Sequence, residues 1–150
     1  MSLNIILIDD HTLFREGLVG LLSRRDIHVL AAVGTGHEGL RLATELEPDV
    51  ILLDMRMPEM DGMDVLRQLR QRGFTKPVAM LTTSSDERDL VESLRSGAQG
   101  YVLKDMEPDQ LVVALRDIVA GKTVVAPDLA PVLARVVQGE MMSSVEGSVF

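Results

Sequence analysis

VILLDMRMPEMDG, residues 50–62, carries the reading of this chain. Four apolar residues end on Asp54, then a loop with Pro58 and Gly62 leads toward Val65, Leu66 and Leu69 at helical spacing. A short apolar run bounded by turn residues reads as a strand buried on both faces. The helical stripe after it stops near Gly73, a residue that suits the left-handed backbone at a helix end.

The same unit repeats on either side. Residues 5–8 lead into a stripe of Phe14, Leu18, Leu21 and Leu22, and residues 29–33 into Gly39, Leu42, Ala43 and Leu46. Residues 78–81 precede Leu90, Val91 and Leu94, with Gly97 as a stop. Residues 101–103 precede Pro108, in the first turn of a helix whose inward residues are Leu111, Leu115, Ile118 and Val119, closing at Gly121. Strands alternating with helices predict an α/β fold with a parallel sheet covered on both faces.

In such a sheet the carboxyl ends of the strands share one rim, where ligands bind. Asp9 and Asp10, Asp54, Thr82 and Lys104 each stand at or just past a strand end. Clustered carboxylates repel one another unless a hard divalent cation with oxygen ligands sits among them, Mg²⁺ first. A lysine and a hydroxyl beside them suit an anion that shares the metal, which points to phosphoryl chemistry. Taken singly, Asp9-Asp10 could cap a helix, Thr82 could be an ordinary strand residue, and Lys104 could be a surface cation. His11, His28 and His37 have no ligand spacing; His11 reads as a surface residue at a helix start, with contact to the acids beside it as the alternative. Tyr101 is the single tyrosine and reads as a core-edge aromatic or a rotamer switch.

GTGHEG, residues 34–39, matches the dinucleotide fingerprint in form. It falls at the second strand–helix unit rather than the first, and Gly39 is better read as a small face where helix meets sheet.

A chain of 150 residues without Cys has room for one core and has neither disulfides nor thiolate metal sites. No basic leader and no long apolar segment is seen, so neither secretion nor membrane insertion is expected. A net charge of −8 and 3% aromatics argue against direct nucleic-acid binding. After Gly121, residues 127–137 carry Leu129, Val132, Leu133 and Val136 at helical spacing, and MMSSVEGSVF (residues 141–150) reads as a mobile end.

The combination of DDH, DMRMPEMDG, LTTS and GAQGYVLKD, in this order, resembles the receiver domain of two-component response regulators. DDHTLFREGL and GAQGYVLKDMEPDQLVVAL make it most similar to the NarL/FixJ (LuxR-type) group. The resemblance implies a flavodoxin-like, CheY-like doubly wound sheet of five strands in the order 2-1-3-4-5. It divides the chain into a receiver at residues 1–122 and a linker helix with tail at residues 123–150. It implies that Asp54 is phosphorylated, that Asp9, Asp10, Asp54 and the backbone carbonyl of Arg56 hold Mg²⁺, and that Thr82 and Lys104 contact the phosphoryl group. Tyr101 would turn inward in response. The implied partners are a sensor histidine kinase, a second copy on phosphorylation, and DNA only through a helix-turn-helix domain that this chain does not contain; the implied location is the cytoplasm. Two other readings remain: a receiver that binds without being phosphorylated, and an aspartyl-phosphate hydrolase. The hydrolase needs an acid two residues after its nucleophile, where this chain has Arg56.

Overall fold

A computed structural model describes residues 2–135 and 137–138. Its strands are β1 (Leu3–Ile8), β2 (Ile27–Val33), β3 (Val50–Asp54), β4 (Val78–Thr82), β5 (Gly100–Leu103) and β6 (Val124–Val125). Between them run α1 (Thr12–Ser23), α2 (Gly36–Leu46), α3 (Gly62–Gln71), α4 (Glu87–Arg95) and α5 (Pro108–Val119). All pairings are parallel and the order is 2-1-3-4-5-6.

The expected order of five is present, and the expected count is corrected to six. Val124 N–H donates to the Gln99 carbonyl and Ala126 N–H to the Tyr101 carbonyl, at 3.0 and 2.9 Å, which lays β6 against β5. A strand of two residues is too short to register as an apolar run.

Successive side chains of a strand point to opposite faces, and the core divides accordingly. Ile5, Leu7, Val50 and Leu52 face α1 and α5, packing on Leu18, Leu22, Leu111, Leu115 and Ile118. Ile6, Ile8, Ile51 and Leu53 face the other way, toward Leu40, Ala43, Val65, Leu66, Leu69 and Leu90. Two helix phases differ from the expected ones. Leu46 and Val119 are 38% and 37% exposed, while Leu40 and Ala114 are buried in their place. Both displaced residues sit in the last turn of a helix.

Helix starts follow local chemistry. Asp61 and Asp64 form a capping box at α3, and the Thr35 hydroxyl accepts from Glu38 N–H at α2. A Cβ on Gly39 would run into Ile8 Cδ1, so that glycine sets how closely α2 approaches β1. The GTGHEG stretch thus serves a helix cap and a helix–sheet contact. Gly73, Gly97 and Gly121 all have positive φ just past their helices.

Past β6, Pro127–Leu129 forms a 3₁₀ turn that runs into helical residues 130–135. Leu129 is buried in the core and Val132 packs against the same cluster, so the partner of this stripe is the α/β body itself. Val136 and the segment read as a mobile end lie outside the described residues. No helix among the described residues is long and apolar enough to cross a membrane.

Candidate functional site

Three strands and the loops after them bring the acids and the lysine to one rim. Asp9 leaves β1 fully buried, with its N–H on the Val33 carbonyl at 2.9 Å and its carbonyl accepting from Arg15 Nη1 at 2.6 Å. Asp54 ends β3 and is 2% exposed. Lys104 follows β5, held there by its N–H on the Thr82 carbonyl at 2.8 Å. Its Nζ lies 3.0 Å from Asp9 Oδ2 and 3.3 Å from Asp54 Oδ2, and its side chain is 11% exposed. The ammonium also stands 4.9 Å from the centre of the Phe14 ring, on α1.

One ammonium therefore faces two buried carboxylates, and the balance of charge is negative. Burial first, and Asp9 second, push the Asp54 carboxyl up to about 6 against the opposing pull of Lys104. Asp9 Oδ2, Asp10 Oδ1 and Asp54 Oδ2 are buried; among the described residues the first and last meet no group but the Lys104 ammonium and the His11 edge, and no well-directed donor reaches Asp10 Oδ1. Such oxygens cost free energy unless something coordinates them. Donor atoms of Asp9, Asp10, His11 and Asp54 all lie within 4.8 Å of one another. This donor set fits a hard divalent cation such as Mg²⁺, which takes carboxylate oxygens and retains water.

Thr82 ends β4 fully buried, and its Oγ1 accepts from Ser84 N–H at 2.9 Å. Tyr101 is also fully buried; its hydroxyl donates to the Ser84 carbonyl at 3.1 Å, and burial pushes its pKa up. Thr82 and Tyr101 are thus joined through the backbone of one residue. The guanidinium of Arg56 turns outward, away from the acids, and its Nη2 binds Asp89 Oδ2 at 2.9 Å. Arg56 N–H points back, 3.4 Å from Asp54 Oδ1.

His11 is a surface residue at a helix start, its side chain 61% exposed, and it also meets the acids. It begins α1 without capping it by its side chain, and its Nδ1 lies 3.1 Å from Asp9 Oδ1, 3.7 Å from both Asp10 Oδ1 and Asp54 Oδ2, and 2.9 Å from Lys104 Nζ. Adjacency to two acids was the available signal. Ser84 closes the LTTS stretch and offers a hydroxyl that competes with that of Thr82, whereas nothing local marks Asp89; the fold carries the two to Tyr101 and Arg56.

Residues 5–116 match the family model of the response regulator receiver domain. The chain belongs to the receiver domain family. Over 131 residues it is 44% identical to the nitrate/nitrite response regulator protein NarL of Escherichia coli K12, a match covering 87% of this chain and 61% of that protein. A nitrate/nitrite response regulator homologue of Haemophilus influenzae is 37% identical over 88% of this chain and 64% of its own length. This receiver therefore spans less than two thirds of the curated relatives it matches. Among solved structures, a LuxR-family two-component response regulator from Aurantimonas superposes with a TM-score of 0.85 at 32% identity, covering 90% of this chain and 97% of that one. The receiver domain of the putative response regulator NarL from Mycobacterium tuberculosis gives 0.77 at 34% identity, covering 81% and 98%.

Proposed function

We propose that this receiver accepts a phosphoryl group on Asp54 in a Mg²⁺-dependent reaction and passes the event on as a change of conformation. The observation that carries this reading is the placement of the Asp54 carboxylate. It is nearly inaccessible, 3.3 Å from the Lys104 ammonium, and beside acids whose buried oxygens lack hydrogen bonds.

Asp9, Asp10, Asp54 and the Arg56 carbonyl would hold Mg²⁺, which supplies neutralising charge to the transferring phosphoryl oxygens. An ionised oxygen of Asp54 attacks the phosphorus of a sensor kinase phosphohistidine, or of acetyl phosphate. The new Asp54 O–P bond forms as the P–N or P–O bond to the donor breaks, and the bonding pair leaves with imidazole or acetate. Lys104 stabilises the charge on the arriving phosphoryl group, and Thr82 donates its hydroxyl to it. Moving Thr82 Oγ1 off Ser84 N–H disturbs the segment on which the Tyr101 hydroxyl rests, which makes residues 82–89 and Tyr101 the switch element. The chain catalyses only its own phosphorylation and dephosphorylation, in the cytoplasm. Its output runs through pairing with a second copy and through a DNA-binding helix-turn-helix domain in the full-length regulator.

Intact-mass spectrometry after incubation with acetyl phosphate and Mg²⁺ tests this. One added phosphoryl group is expected, absent without the metal and absent in Asp54→Ala. No gain, together with no binding of beryllofluoride, would replace this reading with a receiver that binds partners without phosphate.

A further inference from the structure

An imidazole stands among the acids, and an all-oxygen Mg²⁺ site has no use for it. We propose that His11 is a nitrogen ligand of this centre, which lets the centre take first-row transition cations of the Mn²⁺ to Ni²⁺ series in competition with Mg²⁺. The inference rests on the metal-binding reading above and goes beyond it in naming a ligand and a cation class.

The geometry is specific. A histidine at the start of a helix ordinarily contributes nothing but a solvated ring, or turns back on its own first turn. His11 starts α1 with extended backbone, φ −81° and ψ 97°, and its ring makes no capping bond. Its main-chain N–H instead donates to Asp9 Oδ1 at 2.8 Å, which draws the residue over the strand ends. The ring is 61% exposed, but its Nδ1 edge is turned to the acids, with Asp9, Asp10 and Asp54 oxygens 3.1 to 3.7 Å away. Two of those carboxylates, on Asp9 and Asp54, are almost wholly buried, and the single ammonium of Lys104 is shared between an oxygen of each. The four donor atoms already lie within the 4.8 Å spread that one cation can gather.

The chemistry then discriminates between cations. Mg²⁺ is hard, prefers oxygen and gives up water reluctantly, so an imidazole adds little to its binding. Affinity for nitrogen-containing sites rises from Mn²⁺ through Co²⁺ to Ni²⁺, so the same imidazole adds progressively more there. Lys104 Nζ, 2.9 Å from Nδ1, is the group a bound cation would displace from the ring; its long stem and its contacts with Asp9 and Asp54 leave it somewhere to go.

Calorimetric titration of the intact chain and of His11→Ala with MgCl₂ and with NiCl₂ tests the inference, each Ni²⁺ titration repeated in excess Mg²⁺ to confine the signal to one site. In the parent chain Ni²⁺ should bind more tightly than Mg²⁺ and compete with it. His11→Ala should lower the Ni²⁺-to-Mg²⁺ affinity ratio about ten-fold or more. A Co²⁺ titration should give an absorption band in the visible range that shifts in the variant. An unchanged ratio, or Ni²⁺ binding that Mg²⁺ does not displace, overturns the proposal and leaves the phosphoacceptor reading standing. Failure of the parent chain to bind either cation overturns both.

Discussion

Arg56 stands two residues beyond Asp54, yet its guanidinium binds Asp89 at the start of α4, Nη2 to Oδ2 at 2.9 Å. Asp89 also accepts from the Ser84 hydroxyl at 2.7 Å, and the Ser84 carbonyl accepts from Tyr101. The loop that carries the acceptor aspartate and the segment that follows Thr82 are therefore tied together by one exposed ion pair.

Arg56→Ala should loosen that tie without unfolding the protein. The arginine is 67% exposed, so stability should change by no more than about 1 kcal/mol. Amide exchange across residues 83–89 should quicken, read by hydrogen–deuterium mass spectrometry. Exchange equal to that of the parent chain would show that the ion pair holds nothing in place.

The buried Asp54 gives a signed pH dependence in metal-free buffer. Its carboxyl titrates near 3.8 when unfolded and at about 6 when folded. Between those values the folded protein binds more protons, so its contribution is fully present below 3.8 and is lost as pH rises through about 6. Urea midpoints in EDTA should fall across that window, by on the order of 2 kcal/mol, and Asp54→Asn should remove this component. Saturating Mg²⁺ should oppose the fall, because a bound cation favours ionised carboxylates. A midpoint that rises across the window in both proteins would contradict the assignment.

Lys104→Met removes the one lysine or arginine ion-paired with both Asp9 Oδ2 and Asp54 Oδ2 among the described residues. At neutral pH the loss should be roughly 3 kcal/mol, the scale for a buried charge left without its partner. Added Mg²⁺ should recover part of it. Thermal melts with and without the metal decide the point, and a variant as stable as the parent in EDTA would mean that water already compensates the acids.

Two glycines should respond in opposite directions to alanine. A Cβ on Gly62 would run into the Asp54 carbonyl oxygen and the Met55 backbone, so the β3–α3 loop must shift; Gly62→Ala should cost about 1–3 kcal/mol and slow phosphoryl uptake. Gly17, inside α1, has nothing within 4 Å of a built Cβ, and Gly17→Ala should stabilise by about 0.5–1 kcal/mol. Denaturant midpoints of the two variants shifting the same way would refute the steric account.

The chain's own pattern of short apolar runs and helical stripes was enough to determine the alternation of strand and helix, the parallel sheet, and the strand ends at which Asp54, Thr82 and Lys104 stand. Those features are local: each depends on the period of apolar residues and on the turn residues that bound them, so neighbours in sequence carry the information. Helix phase was legible only where the stripe ran mid-helix. At Leu46 and Val119, each in the last turn of its helix, the apolar period continues but the side chain is exposed. β6 escaped because two residues have no period, and their strand character lies in hydrogen bonds to Gln99 and Tyr101 more than twenty residues earlier.

The rim itself was readable as a set of residue types, and its electrostatics were not. That Lys104 is shared between Asp9 and Asp54, and that Asp89 rather than Asp54 takes the Arg56 guanidinium, depend on distances between elements far apart in sequence. His11 shows the division most plainly. Its place after two acids is written in the chain, but that Nδ1 of this exposed ring meets the carboxylates was decided by the path of the backbone between β1 and α1, where Asp9 accepts the His11 N–H.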